Sequence, residues 1–144
     1  MRIHHVLESK GSDAVETIAP EATVRELVSR LGDHNVGALV VSEDGTTAVG
    51  IVSERDVVRR LRDGEPVLDA SVATIMTTDI RVCDPDDTIE HLMQVMTDNR
   101  IRHVPVVRNG RLAGIISIGD VVKQRMSELV FERDQLNQYV SGAQ

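Results

Sequence analysis

Aromatic side chains are almost missing from this chain of 144 residues, which has one Phe, one Tyr and no Trp. A core must therefore be built from Val, Ile, Leu, Ala and Met, and a flat ligand would lie between aliphatic side chains rather than on rings. Cysteine is just as scarce. Cys83 stands alone, which excludes an internal disulfide and a Cys-based metal cluster and leaves a buried apolar thiol as the plain reading. His4, His5, His34, His91 and His103 are scattered without ligand spacing and no HExxH pattern occurs, so no metal site is expected. The P-loop and the G-x-G-x-x-G fingerprint are absent, and no nucleophile sits with a plausible base. Catalysis is not expected. No stretch of about 20 apolar residues offers a membrane span, and Met-Arg-Ile-His-His at the start lacks the apolar run of a signal peptide. A cytoplasmic location is expected. The net charge of −7 repels a polyphosphate backbone, so DNA and RNA are poor partners, although basic groups converging locally would still suit a small anion.

What the chain does have is a repeat. Pro20-Glu21-Ala22-Thr23-Val24 answers Pro85-Asp86-Asp87-Thr88-Ile89, an offset of 65. Gly50-Ile51-Val52-Ser53-Glu54-Arg55-Asp56 answers Gly114-Ile115-Ile116-Ser117-Ile118-Gly119-Asp120, an offset of 64. The single lost residue falls in the loop between them, where length changes are tolerated.

Both copies carry the same structural signals. Val24, Leu27, Val28 and Leu31 line one helical face, as do Ile89, Leu92, Met93 and Met96, and Thr23-x-x-Glu26 is a capping-box signature. Short apolar runs follow at Ala38–Val41 and Val104–Val107, each leading through Asp44-Gly45 or Asn109-Gly110 to a second run at Gly50 or Gly114, which predicts a hairpin in each copy. Pro105 cannot donate to a ladder, so its strand is expected at an edge there. A second helix opens at Ser53 and at Ser117. The last helix is expected to run to about Tyr139, with Val122, Leu129 and Leu136 seven residues apart; this seam would pack on its own core or be covered by a partner chain. The expected fold is α/β (α+β), a pseudo-two-fold pair of units, each a small sheet flanked by two helices. The expected boundaries are 7–69 for the first unit, 70–126 for the second and 127–144 for a helical extension.

In Gly-Ile-Val-Ser-Glu-Arg-Asp and Gly-Ile-Ile-Ser-Ile-Gly-Asp the chain resembles the cystathionine β-synthase (CBS) domain family, in its stand-alone tandem-pair form. The resemblance spans about residues 7 to 126. It implies a Bateman module, a non-catalytic sensor that binds AMP, ATP, NAD or S-adenosylmethionine derivatives between its units, commonly as a homodimer that signals to an effector protein. It also implies that Asp56 and Asp120 accept hydrogen bonds from ribose hydroxyls and that Ser53 and Ser117 face phosphates from a helix start. Thr17-Ile18 and Ile80-Arg81-Val82 would meet the adenine edge.

Simpler readings stand beside these. Ser53/Asp56 and Ser117/Asp120 also fit plain capping boxes, and binding and capping are compatible for the serines. Arg102-His103, after Ile101 and just before the strand containing Pro105, would suit a phosphate or be a solvated loop end. Their counterparts in the first copy are Gly37-Ala38, so two unequal sites are expected. Arg55 would supply charge from its helix start, whereas Ile118 and Gly119 show that the second copy lacks that arginine. Arg59, Arg60 and Arg62 read as a solvated helix face. If the clefts hold no ligand, the alternative role is dimerisation or interaction through the C-terminal helix.

Overall fold

Thr23 caps its helix as expected, though without the reciprocal Glu26 bond of a full box, and Thr88 does the same in the second copy. In the computed structural model, which describes residues 1–11 and 15–142, the Thr23 hydroxyl accepts from the Glu26 amide and the Thr88 hydroxyl from the His91 amide, both at 3.1 Å. They open helices α2 (Val24–His34) and α4 (Ile89–Asn99). Before them come α1 (Ile3–Ser9) and β1 (Thr17–Ile18); β2 (Ala38–Val41), β3 (Gly50–Ser53) and α3 (Glu54–Leu61) follow α2. After α4 the chain forms β4 (His103–Arg108), β5 (Arg111–Ser117) and α5 (Ile118–Gly142).

The two copies fold as twins. β1 pairs parallel with β2, which pairs antiparallel with β3. β4 pairs antiparallel with β5, and a parallel bridge from Cys83 to Val106 stands where Ile18 pairs with Val41 in the first copy. Pro105 lies on that outer edge. Its carbonyl accepts from the Cys83 amide at 3.0 Å, so its missing N–H faces the side where the sheet ends. The Asn109-Gly110 hairpin is tight, with both residues at positive φ (54° and 78°). The first hairpin is not. Between Val41 and Gly50 the chain makes a longer loop in which the Asp44 carboxylate accepts from the Thr46 and Thr47 amides at 2.8 and 2.7 Å. Those bonds hold Asp44 well below the usual carboxylate range and replace the expected two-residue turn.

Each unit is completed by a segment that precedes the other one. Val72 and Ile75 are buried with Ile18, Val24, Leu27 and Leu39 in the first core, while Ile3 and Val6 are buried with Ile89, Leu92, Val104 and Ile116 in the second. The backbone bonds repeat as well: Val72 N–H to Ala22 O matches Ile3 N–H to Asp87 O, and Ala73 N–H to Pro20 O matches His4 N–H to Pro85 O. Packing thus crosses the expected boundaries at 7 and 70. Residues 70–77 complete the first unit, and α1, including Leu7–Ser9, completes the second, because that is where their apolar side chains leave water.

The crossed segments also explain a glycine in each heptapeptide. A Cβ on Gly50 would sit 2.8 Å from Met76 Sδ and 2.9 Å from the Thr77 carbonyl oxygen; one on Gly114 would sit 2.5 Å from a terminal carbon of Leu7. Glycine lets the crossing chain lie against the strand. Beyond Val121, α5 leaves the core. Leu129 and Leu136 are 52% and 63% exposed, so the seam does not pack back on its own chain.

Candidate functional site

The start of α3 and the start of β2 in the first unit converge with the start of β4 in the second on one cleft of about 550 Å³. The first unit contributes Ala38 at the start of β2 and Ser53, Arg55 and Asp56 at the β3–α3 junction. The second contributes Ile80 from the connecting segment, Ile101 and Arg102 from the α4–β4 turn, and His103 and Pro105 from β4. Nine of the residues expected at a nucleotide site thus share one opening.

Ser53 and Asp56 form the reciprocal cap. Asp56 Oδ2 accepts from the Ser53 amide at 2.8 Å and its hydroxyl at 3.1 Å, and the Asp56 amide donates back to Ser53 Oγ at 3.4 Å. Among the described residues these bonds use only Oδ2, which leaves Oδ1 for a ligand. Capping and binding are therefore compatible for Asp56 too. The same box recurs at Ser117 and Asp120, with one addition: Lys10 Nζ donates to Asp120 Oδ2 at 2.9 Å and to the Ile115 carbonyl at 2.9 Å. Burial raises the Asp120 carboxyl, but the Ser117 amide and Lys10 outweigh it and hold the group below its ordinary value.

His103 sits where the units meet, its ring against Gly37, whose added Cβ would lie 3.3 Å from Cε1. Burial lowers its pKa and outweighs the opposing pull of Glu54 and Asp120, so the ring is neutral at pH 7 and offers a hydrogen bond rather than a charge.

Seven expected residues lie elsewhere. Ile18 is buried in the first core and half-buried Thr17 is paired with Val40; neither lines this cleft. Their structural counterparts are Val82 and Cys83, at the end of the expected Ile80–Val82 segment and just beyond it; Val82 is exposed outside the cleft. Ser117, Gly119 and Asp120 belong to the pseudo-symmetric position. Ile118 borders an adjoining groove. Conversely, Arg59 lines the cleft and is not merely a solvated helix face, and Arg81 and Arg100 join it. Arg59 follows Arg55 by one helical turn, a spacing that marks a shared face. Arg100 had no such signal; only the left-handed turn after α4 brings it there.

Among the described residues no His, Cys, Asp and Glu groups are placed to hold a metal, and no helix is long and apolar enough to cross a membrane.

Comparison with known proteins agrees with this architecture. The CBS domain profile matches residues 11–63 and again 72–127. A mitochondrial CBS domain-containing protein of Arabidopsis thaliana is 37% identical over 97% of this chain and 72% of its own length. The crystal structure of a CBS-domain containing protein from Agrobacterium tumefaciens superposes with a TM-score of 0.82 at 43% identity, over 87% of this chain and 99% of that one. A CBS domain protein of Pyrobaculum aerophilum, solved in complex with AMP, superposes with a TM-score of 0.72 at 29% identity, over 83% of this chain and 89% of its own. Two repeats folded as twins and matched twice along the sequence make this chain a member of the CBS domain family, with the domains in tandem.

Proposed function

We propose that this chain is a regulatory module that binds an adenine nucleotide in the cleft at Asp56 and catalyses no reaction. The observation that carries the reading is the convergence of Ser53, Asp56, Ile80, Arg102 and His103, from both units, on one opening. Asp56 Oδ1 would accept from a ribose hydroxyl, and aliphatic Ala38, Ile80, Ile101 and Pro105 would sandwich the base where other proteins use rings. The Arg55 side chain at the start of α3 would face phosphate. AMP in the Pyrobaculum relative supports the ligand class. A ligand that bridges both units favours one arrangement of them over another in proportion to its difference in affinity, which an effector protein in the cytoplasm would read.

Calorimetry with AMP, ATP and NAD tests this. Binding of at least one is expected, weakened by about tenfold or more in Asp56→Asn, because a hydrogen bond to a charged acceptor is lost. No heat at millimolar ligand, or equal affinity in the variant, refutes it.

The exposed apolar seam of α5 favours a second role. Val122, Met126, Leu129, Leu136 and Val140 follow one another at steps of four, three, seven and four residues on one side of the helix and are all exposed. A second copy of this chain would cover it. Leu129→Glu/Leu136→Glu should then convert a dimer to a monomer in sedimentation while nucleotide binding persists; a wild-type chain already monomeric at high concentration sinks this role.

A further inference from the structure

The charge of the cleft does not follow from the charge of the chain. The protein carries a net −7, yet Arg55, Arg59, Arg81, Arg100 and Arg102 all line this one opening. Among the described residues none of the five is paired with a carboxylate; elsewhere Arg25, Arg30, Arg108, Arg125 and Arg133 are paired, and Arg2, Arg60, Arg62 and Arg111 are not. Glu54, Asp56 and Asp79 offset part of the charge, and the Asp56 carboxylate is already engaged by Ser53.

Nor does the cluster follow from the repeat. The positions equivalent to Arg55, Arg59, Arg81, Arg100 and Arg102 are Gly119, Lys123, Glu16, Asn35 and Gly37, so only one is basic. Arg100 is the most telling. It ends α4 in the left-handed conformation at φ 54°, where its counterpart Asn35, at φ 51°, is the residue type that tolerates it better. An arginine held there at a backbone cost, without an ionic partner, is placed for something outside the chain.

The space fits the charge. Arg55, Arg100 and Arg102 form a rim shared by the cleft and an adjoining groove of about 390 Å³, which continues past Thr97 and Ile118. We propose that the Asp56 cleft selects a ligand carrying two or three linked phosphates over a monophosphate, with the anionic tail leaving along the Arg55–Arg100–Arg102 rim. A phosphomonoester, at about −2, fills few of these guanidiniums, while each further phosphate adds oxygens that arginine engages two at a time. The selection rests on the nucleotide reading for the base end of the ligand and on the arginines for the tail.

Calorimetry of the full chain with AMP, ADP, ATP and inorganic tripolyphosphate separates the two. ATP is expected to bind about tenfold or more tighter than AMP, with a preference that shrinks as salt rises. Arg55→Ala/Arg100→Asn, which installs the counterpart's residue in the strained turn and so preserves the fold, is expected to weaken ATP more than AMP and bring the ratio toward one. Equal affinities for AMP and ATP, or an ATP preference that survives in the variant, overturn the selection while leaving the nucleotide reading intact. Tripolyphosphate binding that vanishes in the variant, with no nucleotide bound, supports the arginine site and removes the nucleotide reading. Silence from all four probes removes both.

Discussion

Lys10 holds Asp120 by a 2.9 Å ion pair, and Asp56, the counterpart of Asp120, has no ion pair among the described residues. Two otherwise matching capping boxes are thus in different states. A ligand reaching Asp120 must first displace the ammonium, a contact worth about 1 kcal/mol at this partial exposure and so about fivefold in affinity. The position also lacks the arginines of the first cleft. At concentrations that fill the Asp56 cleft, calorimetry should therefore find one nucleotide per chain. Lys10→Met should strengthen a second, weaker event about fivefold. Superimposable isotherms for wild type and variant would show that Lys10 guards nothing.

His103 makes stability depend on pH near neutrality. Burial disfavours the charged ring, against the attraction of Glu54 and Asp120 and with the repulsion of Lys10 and Arg102, so its folded pKa lies below the ordinary 6.5. In the window beneath 6.5 the unfolded chain binds a proton that the folded chain refuses. Stability is then complete above that value and falls as the pH drops toward the folded pKa. Urea midpoints measured from pH 7.5 to 5.5 should decline for wild type and decline less for His103→Gln. An identical decline in both assigns the effect to other groups.

Much of the architecture was legible because its causes are local. Thr23, Asn109-Gly110 and the repeated heptapeptide each act within a few residues, and each produced the expected element. The crossed segments were not legible. Val72 to Met76 is visibly apolar, and Ile3 and Val6 less so, but nothing within either stretch says which core it fills. Asp44-Gly45 misled because a carboxylate that collects two amides stabilises a longer loop as well as a tight turn. At the site, Ser53, Asp56, Arg102 and His103 could be named from the repeat and the family likeness. Thr17-Ile18 could not be placed without knowing that its partner is Val82-Cys83 rather than Ile80-Arg81-Val82. Arg100 reaches the cleft only through a backbone conformation that arginine seldom adopts.

Cys83 should be chemically silent while the protein is folded. It is buried, its Sγ lies 3.7 Å from the Pro105 carbonyl, and burial, with Asp87 and Asp84 nearby, pushes the thiol up to about 12. Alkylation requires the thiolate and access to it, and both are withheld. Iodoacetamide at pH 8 should leave the native chain unmodified by mass spectrometry and label it completely in urea. Rapid native labelling would mean that the bridge between Cys83 and Val106 opens readily.

The two heptapeptide glycines should differ in what they tolerate, because different atoms cross over them. At Gly50 a methyl group meets the Met76 sulfur and, at 2.9 Å, the carbonyl oxygen of Thr77. That carbonyl accepts from the Ile51 amide at 3.0 Å, and the Thr77 amide donates to the Ile51 carbonyl at 2.9 Å, so neither strand can retreat without losing the pair. At Gly114 the methyl meets only carbons of the Leu7 side chain, which can rotate aside. Gly50→Ala should cost about 1–3 kcal/mol in urea unfolding, the range for forcing extra volume into a packed site, and Gly114→Ala clearly less. Adding Met76→Ala to Gly50→Ala should recover only part of the loss, since the backbone oxygen remains. Full recovery would show that the sulfur alone demands the glycine, and a larger loss at Gly114 than at Gly50 would show that the Thr77 backbone is not what makes it necessary.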